Sequence, residues 1–507
     1  YMADGYARVT GRPGICMAQI IGALNLCAGL RDAHLAKSPI IALTGGREAN
    51  HRDRWAYQEV DDIPAFAPYT KMNAVVDDPA RLPDMLRQAF RVATTGSPGP
   101  VHLQLAGNTG QAIENAEIDF DGVIEAQYGQ VPPDRPQPDL NKVREAAKRI
   151  SEARRPVIVA GGGVRYSGAY EALNKLAEAM HVPVATSLNA KDAILDNNPL
   201  CVGVVGTYSR RSANQVVAEA DLVIFVGTRA GGMTTHFWTI PAKGTPTIQV
   251  DIDPLVNGRN YPTDVSIVGD ARVTLEKMNE LNIPVPKERV EWIKQVQEIC
   301  TSYKTDFEEV YESDAFPIRP ERIVNELSNG MPENAIIVVD TGHSGMWMGG
   351  MFEKRHEGQS YIRSAGHLGW AFPAALGAKC GAPDRPVVCF MGDLGFWYHM
   401  AEVETAVRAG INTITIINNN NSGNMAKDSI SNIYDGKPTK ASQDIWVQNK
   451  INFAKIAEDM GAVGIRIEKA NEIASAFQNA LQLDKPVVID IATDIEVVAP
   501  KAWEPKA

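Results

Sequence analysis

The sequence predicts an α/β protein built from three doubly wound domains with mostly parallel sheets. Three observations carry that prediction. Short, continuous apolar runs such as PVIVA, DLVIFV and PVVCFM recur along the chain and lead into Gly, Asp or Thr, as strands buried on both faces do. Helix-patterned stretches such as EALNKLAEAM separate them, the alternation that parallel crossover units need. The 507 residues are enough for about three domains of ordinary size.

Composition narrows the function classes. A hydrophobic content of 44% and a charged content of 22% are those of a folded globular chain. No segment approaches the apolar length of a membrane span, and the amino terminus lacks a signal-peptide pattern, so a cytoplasmic protein without a membrane partner is expected. The net charge is −11, with Lys and Arg scattered, which argues against nucleic acid as a partner. Six cysteines (Cys16, Cys27, Cys201, Cys300, Cys380, Cys389) stand far apart without CxxC or metal-like spacing and read as reduced core residues.

Taken in order, residues 1–125 form a first domain. Its opening, YMADGYARVTGRPG, is already helical, and SPIIALTG (Ser38–Gly45) and PVHLQLA (Pro100–Ala106) are buried-strand patterns. The proline-rich stretch within 126–139 is a linker. Residues 140–280 make a second unit with strands in PVIVAGGGV (Pro156–Val164), ADLVIFVGT (Ala220–Thr228) and PTIQVDIDP (Pro246–Pro254). Gly161-Gly162-Gly163 reads as a glycine turn after the first of these strands and lacks the dinucleotide fingerprint spacing. Arg210 and Arg211 read first as a solvated helix start and second as a phosphate grip.

A linker helix occupies 281–317, and 318–492 form the third domain. There AIIVVDTGHSGMW (Ala335–Trp347) is a strand running into a Gly-rich turn, whose backbone amides suit phosphate oxygens. SAGHLGWAFPAALGAK (Ser364–Lys379) places Gly366 and Gly369 near a helix start, and AVGIRIEK and PVVIDIATD (Pro486–Asp494) are further strands. The tail, 493–507, is expected to be extended and to fold over the site.

The third domain centres on Met391–Asn424. PVVCFMGD (Pro386–Asp393) is a strand, AEVETAVRAG a helix stopped by Gly410, and TITII (Thr413–Ile417) a strand running into Asn418, Asn419, Asn420 and Asn421. Strand, helix and strand form one right-handed crossover, so Asp393 and the asparagines emerge at the same sheet edge, where ligands bind. A carboxylate and a carboxamide there, with Gly392 and Gly395 admitting close backbone approach, suit a hard divalent cation that also holds phosphate oxygens. The plain alternative is a sheet edge with a turn-forming Asn cluster. Trp397, Tyr398 and His399 read as helix-face packing, and the polar stretch from Met425 to Gln448 as a mobile loop.

The Gly392-Asp393-Leu394 step and the downstream asparagines resemble the diphosphate-and-metal motif of thiamine-diphosphate-dependent enzymes. MADGYAR in turn resembles the acetohydroxyacid synthase-like branch. The resemblance implies thiamine diphosphate and Mg²⁺ as cofactors, with Asp393, Asn420 and Ser422 as metal ligands and Asn419 and Asn421 as the adjoining registers. Leu394 stands where Gly, Ala or Ser is commoner. Gly395, Gly423, Asn424 and Met425 complete the cofactor-binding stretch, and Gly342, His343 and Ser344 match the family's diphosphate contact.

By the same resemblance, Leu368 props the cofactor, the Gly366 carbonyl accepts from its aminopyrimidine, and His367 lies between them without a proton-transfer role. Tyr57-Gln58-Glu59 matches a Phe-Gln-Glu whose glutamine lies near the substrate; Gln58 reads equally as a surface-loop residue. AQIIGALN (Ala18–Asn25) departs from the synthases' loop, keeping Gly22, Ala23 and Asn25, so their substrates do not carry over. The family's catalytic glutamate falls a few residues ahead of Tyr1, and the expectation is that the chain as given lacks its first strand and helix.

The function implied is cleavage or formation of a carbon–carbon bond next to a carbonyl, by 2-oxo acid decarboxylation, carboligation or both, as in acetolactate synthases. Substrates would be a 2-oxo acid, aldehyde or acyl compound, and the assembly a homodimer at minimum, with a homotetramer expected. FAD, ADP or coenzyme A in the middle domain stays open and unsupported by this chain's residues. Two other readings stand beside it: a coenzyme A-thioester lyase or decarboxylase of the same cofactor family, suggested by the ADLVIFVGTR region with Arg210 and Arg211, and a non-catalytic cofactor-binding homologue.

Overall fold

The computed structural model describes residues 1–107, 115–118 and 125–505. The chain divides into two compact units: Tyr1–Arg135 with Ser364–Pro383, and Pro136–Arg363 with Asp384–Ala507. The segment around Gly366, expected in the third domain, thus belongs to the first unit. The stretch just ahead of the linker and the last residues of the tail lie outside the described residues.

The first unit holds four parallel strands, β1 (Gly14–Ala18), β2 (Ile40–Gly45), β3 (Met72–Val76) and β4 (Val101–Leu105), in the order β1-β2-β4-β3. β2 and β4 fall where the apolar runs predict them. The other two were not singled out in the sequence: β1, GICMA, alternates buried and exposed residues, and β3, MNAVV, is half-buried over four of its five positions. The opening segment is a helix, Met2–Thr10, packed on the helix Ala371–Gly381. Glycine permits that approach: a Cβ on Gly5 would lie 2.0 Å from the Ala374 carbonyl oxygen, and one on Gly377 1.8 Å from that of Met2. Cys380, on the second of these helices, is exposed, which corrects the reading of all six cysteines as core.

β4 also carries His102, fully buried and stacked on Phe66 with ring centroids 3.7 Å apart. Its ring nitrogens pair with Thr44 Oγ1 and Asn73 Oδ1, each at 2.7 Å. Burial pushes the imidazole from the ordinary 6.5 down to about 4. Between those values the unfolded chain binds more protons than the folded one. Stability is therefore expected to be level above pH 6.5 and to fall as pH drops from 6.5 to 4, by about 3 kcal/mol in all from this group. Urea midpoints at pH 4.5 and 7.5 check it: the gap between them should narrow in His102→Gln.

The second unit contains two six-stranded sheets, parallel at every pairing of the described strands. The first comprises β5 (Pro156–Ala160), β6 (Val184–Thr186), β7 (Cys201–Val204), β8 (Leu222–Val226), β9 (Thr247–Asp251) and β10 (Val265–Val268), ordered β10-β9-β8-β5-β6-β7. The other comprises β11 (Ile336–Val339), β12 (Ser360–Arg363), β13 (Val387–Gly392), β14 (Ile414–Asn419), β15 (Val463–Ile467) and β16 (Val487–Ala492), ordered β12-β11-β13-β14-β16-β15. β5, β8 and β11 are buried at every position, as strands covered on both faces must be.

Two glycine stretches expected as turns start helices instead. After β5, Gly162–Tyr166 is a short helix, and Gly161 and Gly163 press on Gly227: a Cβ on Gly161 would meet the Gly227 carbonyl oxygen at 2.3 Å. After β11, Gly342–Gly350 is helical, so His343 and Ser344 lie in a helix's first turn. The stretch from Met425 to Gln448, expected as a mobile loop, contains the helices Lys427–Ile433 and Lys440–Gln443 and a bridge from Ser422 to Val447.

Arg210 is not a solvated helix start. It is 5% exposed, pairs with Asp196 at 2.9 Å and donates through Nε to the Gly350 carbonyl at 2.9 Å. Burial alone would raise the Asp196 carboxyl, but Lys191 and Arg210 hold it below its ordinary range. Arg211 pairs with Asp306 at 2.5 Å. Both arginines therefore tie elements of the protein together.

Candidate functional site

β11, β13 and β14 are neighbours in one parallel sheet, so the segments leading out of them emerge at one edge. β11 leads to the helix Gly342–Gly350, β13 to Gly392 and Asp393, and β14 to the asparagines. The strand order reverses between β11 and β13, the switch point at which open parallel sheets bind ligands. Ser344 faces this point: its Oγ would lie 3.6 Å from a Cβ at Gly392. Gly342 sits at φ 70°, in the left-handed region, and opens a helix whose first-turn amides have no acceptor within the helix itself. His343 stacks edge-on to Trp347 at 5.5 Å, and burial lowers its imidazole below the ordinary value.

Asp393 is 2% exposed and starts a helix, Asp393–His399, where sequence reading expected only a strand end. The backbone N–H groups of Leu394 (2.7 Å) and Ser422 (3.1 Å) donate to its two oxygens. Burial, with Asp490 adding repulsion, pushes its carboxyl up to about 7. Asn420 Oδ1 accepts from Ser422 Oγ at 2.8 Å, and both residues are buried. Leu394 packs toward Gly423, whose Cβ would lie 3.1 Å from Leu394 Cδ2. Gly395 is buried, Met425 is exposed, and Asn424 Nδ2 donates to the Val497 carbonyl at 3.3 Å, which brings the tail against the motif.

Their hydrogen-bond partners distinguish the asparagines. The Asn419 carboxamide is already engaged: its Nδ2 donates to Asp490 Oδ1 at 2.8 Å and to the Ile451 carbonyl at 3.0 Å. Asn421, at φ 54°, accepts from the Ile451 N–H at 3.0 Å. Asn418 and Asn420 share the opposite parity, and Asn418 Oδ1 is buried without a hydrogen-bond partner among the described residues. Trp397 packs edge-on to Phe453 at 5.3 Å and donates to Gln448 Oε1 at 3.1 Å, while Tyr398 is exposed.

Gln58, Gly366, His367 and Leu368 belong to the first unit and are described within it. Gln58 is half-buried at φ 62°, and its Oε1 accepts from Gln19 Nε2 at 2.6 Å. Gln19 lies in the loop that departs from the synthases' pattern, and sequence reading did not single it out. Gly366 sits at φ 149° and Gly369 at φ 86°, conformations open to glycine. His367 Nε2 pairs with Tyr1 OH and its Nδ1 with the Leu368 carbonyl, both at 2.9 Å. The anchor of this segment, Asp32, was also missed: nothing local marks it.

The Asp393 carboxylate, which accepts from the Ser422 N–H, and the Asn420 carboxamide, which accepts from Ser422 Oγ, bring two kinds of side-chain oxygen to the second unit's edge. Among the described residues no group of three or more His, Cys, Asp or Glu gathers to hold a metal alone. A buried carboxylate beside neutral oxygens fits a hard cation that takes its remaining ligands from phosphate and water.

Three family models match the chain, all of thiamine pyrophosphate enzymes. The N-terminal TPP binding domain matches residues 1–65, the central domain 143–278, and the C-terminal TPP binding domain 340–491. The acetolactate synthase large subunit of Corynebacterium glutamicum is 33% identical over 498 residues, covering 97% of this chain and 78% of that protein. A protein of Methanococcus aeolicus named "Probable acetolactate synthase large subunit" is 34% identical over 518 residues, covering 97% of this chain and 84% of its own length. The acetolactate synthase of Mycobacterium bovis is 32% identical over 510 residues, covering 98% and 81%.

Proposed function

The chain belongs to the thiamine pyrophosphate enzymes, and from that premise we propose that it is a thiamine diphosphate- and Mg²⁺-dependent enzyme that breaks or forms carbon–carbon bonds next to a 2-oxo acid carbonyl. The relatives named acetolactate synthase favour carboligation after decarboxylation. The observation that carries the reading is the buried Asp393 carboxylate beside Asn420 and Ser422, at the end of two paired strands. In this reading Asp393, Asn420 and the Ser422 carbonyl hold Mg²⁺. The first-turn amides at Gly342, His343 and Ser344 hold phosphate oxygens, with Gly392, Leu394, Gly395, Gly423, Asn424 and Met425 shaping the rest of the cradle. When bound, thiamine diphosphate supplies the electron sink. Gly366 and Leu368 orient its ring half, His367 braces them, and Gln58, fixed by Gln19, faces the substrate.

The same reading assigns domains at 1–125, 140–280 and 318–492, a cytoplasmic location, and a homodimer or homotetramer. No helix of the described residues is long and apolar enough to cross a membrane. The test is a panel of 2-oxo acids, each alone and paired with an aldehyde or a second 2-oxo acid, with CO₂ release and the ligated product as readouts. Turnover that requires both thiamine diphosphate and Mg²⁺ and stops with chelator is the expected result. A protein that binds the cofactor yet turns over no member of the panel is a binding homologue, and the enzymatic reading falls.

A further inference from the structure

Within the first unit, one carboxylate organises a segment far from it in sequence. Asp32, on the helix Asn25–Ala36, is 2% exposed. Its Oδ1 accepts from Arg8 Nη2 and from the Ala365 backbone N–H, each at 2.9 Å. Its Oδ2 accepts from the His367 N–H at 3.1 Å and lies 3.2 Å from Ser364 Oγ. Ser364 Oγ donates to the His367 carbonyl at 2.7 Å and accepts from the Gly366 N–H at 3.1 Å. Each amide from Ala365 to His367 therefore ends on Asp32 or on the hydroxyl beside it.

Charge balance alone does not explain this arrangement. Arg8 already has a two-point partner in Asp4, at 2.8 and 2.6 Å, and Asp32 gives it only one oxygen. The other Asp32 contacts all go to the segment that holds Gly366 and Leu368. A carboxylate only accepts, so it dictates where two N–H groups point. With Gly366 at φ 149°, that choice sets the direction of the backbone on either side.

We propose that Asp32 is a positioning residue, which fixes the Gly366 carbonyl and the Leu368 side chain in the geometry that receives the aminopyrimidine half of thiamine diphosphate. This rests on the cofactor reading given above. An Asn in its place brings one acceptor and one donor where two acceptors stood. Whichever way the amide sits, the N–H of Ala365 or of His367 then faces another N–H.

The experiment measures binding of thiamine diphosphate and of inorganic diphosphate, each with Mg²⁺, to the full-length protein and to Asp32→Asn, together with backbone hydrogen exchange over 364–369. The Kd for thiamine diphosphate is expected to rise about tenfold, while that for inorganic diphosphate moves by less than about twofold and exchange in the segment speeds up. An unchanged Kd for thiamine diphosphate overturns the inference. Equal weakening of both ligands does so too, because it marks general damage rather than lost aim at the ring. A wild-type protein that binds no thiamine diphosphate overturns the functional reading itself, a result distinct from any difference between variants. If Asp32→Asn does not fold, Ser364→Ala, which removes the hydroxyl joining Gly366 to His367, is expected to give the same selective loss on a smaller scale; no loss there overturns the proposal.

Discussion

Asp393→Asn is expected to weaken Mg²⁺-supported binding of thiamine diphosphate more than any other substitution at the sheet edge. The Asp393 carboxylate is buried, receives only backbone N–H groups among its hydrogen-bond partners, and sits under repulsion from Asp490. A divalent cation would turn that unfavourable burial into a charge pair. Removing one member of such a desolvated pair costs roughly 2–5 kcal/mol, or about thirty- to several-thousandfold in affinity. Asn420→Ala removes a neutral oxygen and should cost about tenfold. Asn419→Ala should leave cofactor affinity nearly intact and lower stability instead, because its carboxamide is spent on Asp490 and Ile451. Calorimetric titration of thiamine diphosphate at fixed Mg²⁺, with a thermal melt of each variant, checks the order. Wild-type affinity in Asp393→Asn, or a large affinity loss in Asn419→Ala, would remove the metal assignment.

Asn420 and Asn419 also show how far a sequence can be read. β13, the helix stopped by Gly410 and β14 are each set by runs of fewer than ten residues, and Gly410 caps its helix at φ 63° as a left-handed glycine does. Those local rules brought Asp393 and the asparagines to one edge. The choice of Asn420 among the asparagines came from the family's spacing after Asp393; the structure adds that the Asn419 carboxamide is engaged by Asp490. β1 and β3, GICMA and MNAVV, are runs of only five residues, largely apolar in sequence yet half-exposed in the fold, and sequence reading did not separate them from their surroundings. Glycines read as turns at 161–163 and 342 start helices, because close helix–strand packing and tight turns call for the same missing Cβ.

Pairings between distant residues carry no local mark at all. Asp32 and His367 stand 335 positions apart, and Arg210 looked like a surface residue until Asp196 and the Gly350 carbonyl were seen around it. Burial of a charged side chain is decided by its partner, and the partner's place is a property of the whole fold.

Arg8→Ala is the substitution expected to cost the first unit most. Arg8 is 7% exposed, and Asp4 and Asp32 are 2% exposed each. Its Nε and Nη2 bind the two oxygens of Asp4 while Nη2 also reaches Asp32, Nε lies 3.1 Å from Ser38 Oγ, and its guanidinium stacks over Trp370 at 4.3 Å. Removing the cation leaves two buried carboxylates without the counter-charge they share, which costs roughly 3–5 kcal/mol. Trp370 Nε1 donates to Asp4 Oδ2 at 2.8 Å, so the damage spreads to the helix that carries Gly377. Arg8→Lys should recover less than half of the loss, since one ammonium cannot span both oxygens of Asp4 and reach Asp32 as a planar fork does. Urea unfolding checks both values, and a double variant, Arg8→Ala with Asp4→Asn, should fall short of the sum of its singles because one of the stranded charges has gone. If Arg8→Ala unfolds no more easily than wild type, the carboxylates have found other counter-charges. The hold of Asp32 on Ala365 and His367 would then not depend on the opening helix.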